Sequence, residues 1–168
     1  MILSTHAIVG AALARFMPNP GLAFLVGIAS HFLLDAIPHR DYKLLSVERG
    51  DKPLDRNISL FSRRFILDLL RVGIDFAVGA FFVWLLFWSG IFADRGDGWI
   101  IFAGFLGGPL PDFFQILYMK FKITPFVQIQ RFHTWIHFGR DLNKPVPIAL
   151  FLQGVVALFF VVISFWLA

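Results

Sequence analysis

The stretch Val146-Pro-Ile-Ala-Leu-Phe-Leu-Gln-Gly-Val-Val-Ala-Leu-Phe-Phe-Val-Val-Ile-Ser-Phe-Trp-Leu-Ala168 runs 23 residues without a charge. As a helix it is about 35 Å long, enough to cross a hydrocarbon core about 30 Å thick. Working back along the chain, Val72 to Ala93 is a second apolar run, interrupted near its start by Asp75, and Trp99 to Met119 is a third. The short turn from Asp94 to Gly98 joins these two. Composition agrees: of 168 residues 58% are hydrophobic and 15% charged, Phe alone numbers 22, and the mean hydropathy is +0.74, far more apolar than a soluble domain of this length needs. The expected fold is all-α, a polytopic integral membrane helical bundle forming one domain over residues 1–168.

The remaining segments are shorter or more polar. Ser4 or Thr5 is expected to cap a helix running to Phe16, Met17-Pro18-Asn19-Pro20-Gly21 to turn the chain, and a second helix to run from Leu22 to Ile37, where Pro38 stops it. Gly10, Ala11, Ala12, Ala14, Gly27, Ala29 and Ser30 offer small surfaces for close helix packing. Residues 1–37 are therefore expected to form a tight hairpin, thinly spanning or re-entrant. Segments 38–71 and 120–145 are polar and expected to be partly helical at the membrane surface. In the third apolar run, Gly107-Gly108-Pro109-Leu110-Pro111-Asp112 should break or kink the helix beside a carboxylate, as tolerated where a helix lines a polar cavity.

Charge orients the chain. Eight of the 15 Lys and Arg lie between Arg40 and Arg71 and five between Lys120 and Lys144, whereas the Asp94 to Gly98 turn holds only Arg95. By the positive-inside rule both long segments are cytoplasmic and the turn is outside. The Met1-Ile2-Leu3-Ser4-Thr5-His6 start lacks a basic leader and a small-residue cleavage site, so it is expected to be retained. Basic residues at the interface account for the net charge of +4, and no groove-reading motif is present, so no nucleic-acid partner is expected. Membrane lipids are the expected surroundings.

All five histidines fall in three polar islands: Ser4-Thr5-His6, then His31-Phe-Leu-Leu-Asp35-Ala-Ile-Pro-His39-Arg40-Asp41, and His133-Thr-Trp-Ile-His137. His31/Asp35 and His133/His137 have i, i+4 spacing, which stacks both side chains on one helix face, as a helix presents two ligands to one ion. Any single histidine has blander uses as a cap or a hydrogen-bonded core residue. Five of them grouped with Asp35, Asp75 and Asp112, all able to lie near the cytoplasmic interface, point to a metal site instead. A carboxylate in an apolar span costs free energy unless it is paired, hydrated or metal-bound. For Asp75 an ion pair with Arg71 is an equal alternative, and Asp68 can pair with Arg64 or Arg71 outside the site.

Cysteine is absent, which excludes disulfides, thiolate ligands and cysteine nucleophiles. Nitrogen and oxygen ligands suit zinc, manganese or iron, and calcium does not explain five histidines. Eight candidate ligands (His6, His31, Asp35, His39, Asp75, Asp112, His133 and His137) exceed the needs of one tetrahedral ion. Two ions sharing a carboxylate and activating water would suit attack on phosphate esters. Arg40 is the candidate for holding an anionic substrate, and Asp41 for orienting a ligand or acting as general base. Three other classes compete: a closed, non-catalytic metal or interaction protein; a small transporter, which predicts polar residues on both sides of the bilayer; and a bis-histidine haem protein, which needs histidines on facing spans.

His31-x3-Asp35-x2-Pro38-His39, Leu110-Pro111-Asp112 and His133-x3-His137 resemble the motifs of the bacterial membrane-bound metal-dependent hydrolases, the group that includes the LexA-binding inner-membrane protein. More distantly, the ligand set is similar to that of zinc-dependent phospholipase C. The resemblance covers His6 to His137 and implies an all-helical metallohydrolase of phosphoesters, lipid-linked ones among them, in the inner membrane. Carried over by position, it makes His31, Asp35, His39, Asp112, His133 and His137 ligands. The Asp-x-Asp-His arrangement of that group is absent: Asp35-x3-His39 stands in one island and Leu-Pro-Asp in another.

Overall fold

The computed structural model describes residues 1–41, 43–50, 54–92, 97–137 and 144–167. The chain order is α1 (Leu3–Ala14), α2 (Pro20–Asp35), β1 (Val47–Arg49), β2 (Arg56–Ile58), α3 (Arg63–Phe92), α4 (Asp97–Gly107), α5 (Leu110–Phe121), α6 (Phe126–His137) and α7 (Val146–Leu167). Three stretches are long and apolar enough to cross a membrane: residues 63–87 of α3, residues 98–121 through α4 and α5, and α7. Most of the expected turn from Asp94 to Gly98 lies outside the described residues, as does Arg140.

The shortest helices stand at the centre. α1 packs against α2, α3, α4 and α7 and is buried nearly all round, consistent with a helix apolar on every face. Its close approach to α4 depends on Gly10 and Gly104, since a Cβ on either would run into the other's carbonyl. Gly27 meets the Gly107–Gly108 backbone in the same way, so the small-residue surfaces expected from the sequence do make the packing; of the seven, Ala29 alone faces outward. Away from this centre, α3 and α7 present exposed Leu, Ile, Val, Phe and Trp along their outer faces.

Four local expectations change. Neither Ser4 nor Thr5 caps α1, whose N-cap is Ile2 without a side-chain bond. Instead the first amides are met from other helices: Asp75 of α3 accepts from Leu3 N at 2.6 Å, and Gln153 of α7 accepts from Ile2 N at 2.9 Å. α2 starts at Pro20, capped by Asn19, whose side chain accepts from Leu22 N at 2.9 Å, and it ends at Asp35. The segment expected to be polar and partly helical before α3 carries an antiparallel β1–β2 hairpin pairing Val47 with Ile58. Finally, α3 begins at Arg63, nine positions before Val72.

The break in the third apolar run is where it was expected. α4 stops at Gly107 and α5 restarts at Leu110, with Asp112 in its first turn, where the helix dipole favours a carboxylate. α4 packs on α3, α1 and α2, whereas α5 turns to α6 and β2.

Candidate metal centre

Asp35 is the last residue of α2, at the negative end of that helix's dipole, and its side chain is only 1% exposed. A carboxylate there is unstable without compensation. Compensation comes from all five histidines, each turning Nε2 toward it. On Oδ2, the Nε2 atoms of His31, His133 and His137 lie at 3.0, 2.8 and 2.7 Å. On Oδ1, those of His6 and His39 lie at 3.3 and 3.5 Å. The α-amino nitrogen of Met1 donates to Oδ1 at 2.7 Å and lies 2.9 Å from His39 Nε2.

This is more than a carboxylate needs as a hydrogen-bond acceptor. Three imidazole nitrogens crowd one oxygen, and they also crowd each other: His133 Nε2 is 3.0 Å from His137 Nε2 and 3.3 Å from His31 Nε2. Two N–H groups cannot point at one another at that distance, so at least one nitrogen of each pair presents a lone pair there. In a tetrahedral zinc site with bonds of 2.0–2.1 Å, neighbouring ligand atoms are about 3.3 Å apart. The nitrogen–nitrogen spacings of 3.0 and 3.3 Å are close to that value, so the group could hold an ion. His31/Asp35/His133, Asp35/His39/His137 and His6/His31/Asp112 each bring one ligand atom per residue within 4.8 Å of the others, and such groups can hold a metal ion.

The far nitrogens support the same reading. His31 Nδ1 donates to the Gly108 carbonyl at 2.9 Å and His39 Nδ1 to the Ile37 carbonyl at 2.7 Å, which fixes both rings with Nε2 turned into the cluster. His133 Nδ1 instead accepts from the Gln115 side-chain Nε2 at 2.9 Å, which fixes the ring and puts its proton on Nε2, 2.8 Å from Asp35 Oδ2, where an ion would have to displace it. His6 is fully buried, stacked on His31 with ring centroids 4.0 Å apart; its Nε2 has only the long 3.3 Å approach to Asp35 Oδ1, and its Nδ1 has no hydrogen-bond partner among the described residues. A buried imidazole so weakly satisfied is costly, and an ion beside Nε2 would relieve it.

Electrostatics graduate outward from this core. Asp41 is 45% exposed, with Oδ1 3.1 Å from His39 Nε2. Burial would lift its carboxyl, but the hydrogen bond to His39 and the neighbouring Met1 ammonium outweigh this and hold it below the usual carboxylate range. For His137, burial disfavours the cation, yet the Asp35 hydrogen bond and the Asp35 and Asp41 charges win and raise its pKa. Asp112 stands at the edge, with Oδ1 3.8 Å from His31 Nε2 and 4.0 Å from His133 Nε2.

Seven of the eight sequence candidates for metal ligation thus meet, and Asp41 joins them. Asp75 does not. Its Oδ2 accepts from Leu3 N and its Oδ1 from Ser4 Oγ at 2.5 Å, so its partners among the described residues are on α1 and not the expected Arg71. Asp68 accepts from Ser46, through N at 2.7 Å and Oγ at 2.8 Å, and of the two arginines on its own helix able to pair with it, Arg71 is near enough to act through its charge. Arg40 donates through Nη1 to the Lys144 carbonyl at 2.6 Å and lines the adjoining cavity. Sequence reasoning missed Gln115 and Gln153. The signal for Gln153 was available: it is one of two polar side chains in an otherwise apolar run, fully buried and tied to both Ile2 N and the Arg40 carbonyl.

The cluster opens on a cavity of about 740 Å³ reached by Asp41, Asp112, His133 and His137, so one side of the centre is accessible while His6, His31 and Asp35 close the other. No family model, no curated protein and no solved structure matches the chain.

Proposed function

We propose that the chain is an integral protein of the bacterial inner membrane that hydrolyses phosphoesters with one or two divalent ions, zinc first and manganese or iron next, at a His/Asp centre facing the cytoplasm. The observation that carries the reading is the convergence of five Nε2 atoms on one buried carboxylate, with a cavity on its open side. Three apolar helical stretches support membrane insertion, and the Lys and Arg bias toward the segments around the cluster supports the cytoplasmic orientation.

A divalent ion bound there supplies Lewis acidity and a water acidified toward neutrality. Asp35 turns one oxygen to the His31/His133/His137 side and the other to the His6/His39 side, so with these histidines it would hold one or two ions. Asp41, half-exposed beside His39, takes the proton of the attacking water. The water oxygen bonds to phosphorus, the ester P–O bond breaks, and the leaving alkoxide takes up the proton held by Asp41 and departs as the alcohol. Arg40 keeps guanidinium donors beyond the one given to Lys144 and orients the phosphate.

The test is turnover of bis(p-nitrophenyl) phosphate and p-nitrophenyl phosphate by purified protein in phosphatidylcholine nanodiscs. Chelation should abolish release of nitrophenol, and added zinc or manganese should restore it. Metal-loaded protein that cleaves neither ester contradicts the proposal. A non-catalytic metal site is the second reading, favoured by the complete burial of His6, His31 and Asp35; it predicts bound metal, no turnover and a Tm that falls on chelation.

A further inference from the structure

The cavity beside the cluster has two kinds of wall. α3 and α5 both border it, yet their backbones do not pack against each other among the described residues, since α5 diverges after the Gly107–Pro109 break. Val72 and Phe76 form one side and Phe113, Ile116 and Met119 the other. At one end the cleft is bridged by the β-hairpin, where Ile58, Tyr118, Met119 and Phe65 cluster. Along the outer lip Leu106 and Phe113 are exposed, 39% and 53%, on the stretch of residues 98–121 that is apolar enough to lie in a bilayer.

The polar end is cationic as well as metal-ligating. Arg40, Lys43 and Arg56 reach the cavity from the loop after α2 and from β2, next to Asp41, Asp112 and the histidines. A ligand filling this space must therefore be anionic at one end and hydrocarbon at the other. A nucleotide is a poor occupant, because its base would lie between aliphatic and phenyl walls that offer it few hydrogen-bonding groups. A soluble phosphate would leave the apolar side unfilled.

We propose that the cleft between α3 and α5 takes the hydrocarbon chain of a phosphate-headed lipid, entering sideways from the bilayer past Leu106 and Phe113, so that its phosphate comes to rest between the Arg40/Lys43/Arg56 rim and the Asp35 cluster. The inference rests on the membrane and metal reading above and names the substrate class of that same centre. Its volume is in the range of sites that enclose a small-molecule ligand, and the splayed α5 gives the chain a route that avoids dragging the headgroup through the helical core.

The experiment is native mass spectrometry of metal-loaded protein released from phosphatidylcholine nanodiscs, titrated with dodecyl phosphate, methyl phosphate or dodecyltrimethylammonium. Dodecyl phosphate should form a one-to-one adduct at a concentration at least tenfold below methyl phosphate, and the ammonium amphiphile should not compete. Ile116→Trp, and independently Phe76→Trp on the facing wall, should weaken that adduct tenfold or more with metal content unchanged. Lys43→Ala/Arg56→Ala should abolish the preference for the phosphate head. Equal binding of methyl and dodecyl phosphate, or full binding by both tryptophan variants, overturns the inference. Chain-selective binding by a protein that cleaves no phosphoester sustains the lipid cleft while refuting the hydrolase reading.

Discussion

Asp35 and Asp75 are both carboxylates set in apolar helices, and they meet opposite fates. Asp75 receives fixed donors, the Leu3 amide and the Ser4 amide and hydroxyl, which have no other use at a helix N-terminus. Asp35 receives imidazole nitrogens, which can trade a proton for a metal ion. Formal charge is the same for the two, although Asp35 is fully buried and Asp75 half-buried. What separates a structural carboxylate from a candidate ligand is whether its partners are committed donors or exchangeable imidazole nitrogens, and whether those partners also crowd each other.

The contrast can be broken by substitution. His31→Ala removes the one imidazole shared by two of the ligand groups, so bound metal and any metal-dependent turnover should disappear while the protein stays helical by circular dichroism. Retained metal would place the ion elsewhere. Next in size is Gln115→Leu, which takes away the partner that fixes His133. A loss of about 10–100-fold in metal affinity by competition with a chromogenic chelator is expected, with stoichiometry unchanged at saturation. No change in affinity would show that Gln115 does not orient the ring.

Asp75→Ala should do the reverse. Thermal or denaturant unfolding in detergent should report a cost of about 1–3 kcal/mol, as orphaned amides at the start of α1 lose their acceptor, while metal stoichiometry holds. Metal loss on this substitution, with the fold intact, would return Asp75 to the ligand set. Gly108→Ala sharpens the comparison because it touches both regions' scaffolding: a Cβ there strikes the His6 carbonyl, and the Gly108 carbonyl holds His31. A destabilisation of about 1–3 kcal/mol is expected, accompanied by weaker metal binding. Unaltered metal affinity would mean that His6 and His31 are positioned independently of this contact.

Much of this was readable in the residues. Helix class, three long apolar stretches and the break at Gly107–Pro111 follow from periodicity, length and the proline and glycine pattern, because these act locally. The two i, i+4 pairs, His31/Asp35 and His133/His137, identify their own faces. Asp75 misled because spacing shows what a residue can reach on its own helix, whereas its partners came from α1, about 70 positions away. Gln115 carried no distinguishing signal, being an ordinary glutamine three residues after Asp112. The hairpin was missed because its strands are three residues each, too short for alternation to register, although Gly50-Asp51-Lys52-Pro53 between Val47 and Ile58 is a turn signal.

The most direct test of the Asp35-centred site is elemental analysis by plasma mass spectrometry of detergent-purified protein, wild type beside His31→Ala/His137→Ala. The account predicts about one or two equivalents of zinc, manganese or iron in the wild type and none in the double variant. Wild-type protein that holds no metal even after reconstitution, or a double variant that keeps its full complement, would contradict it.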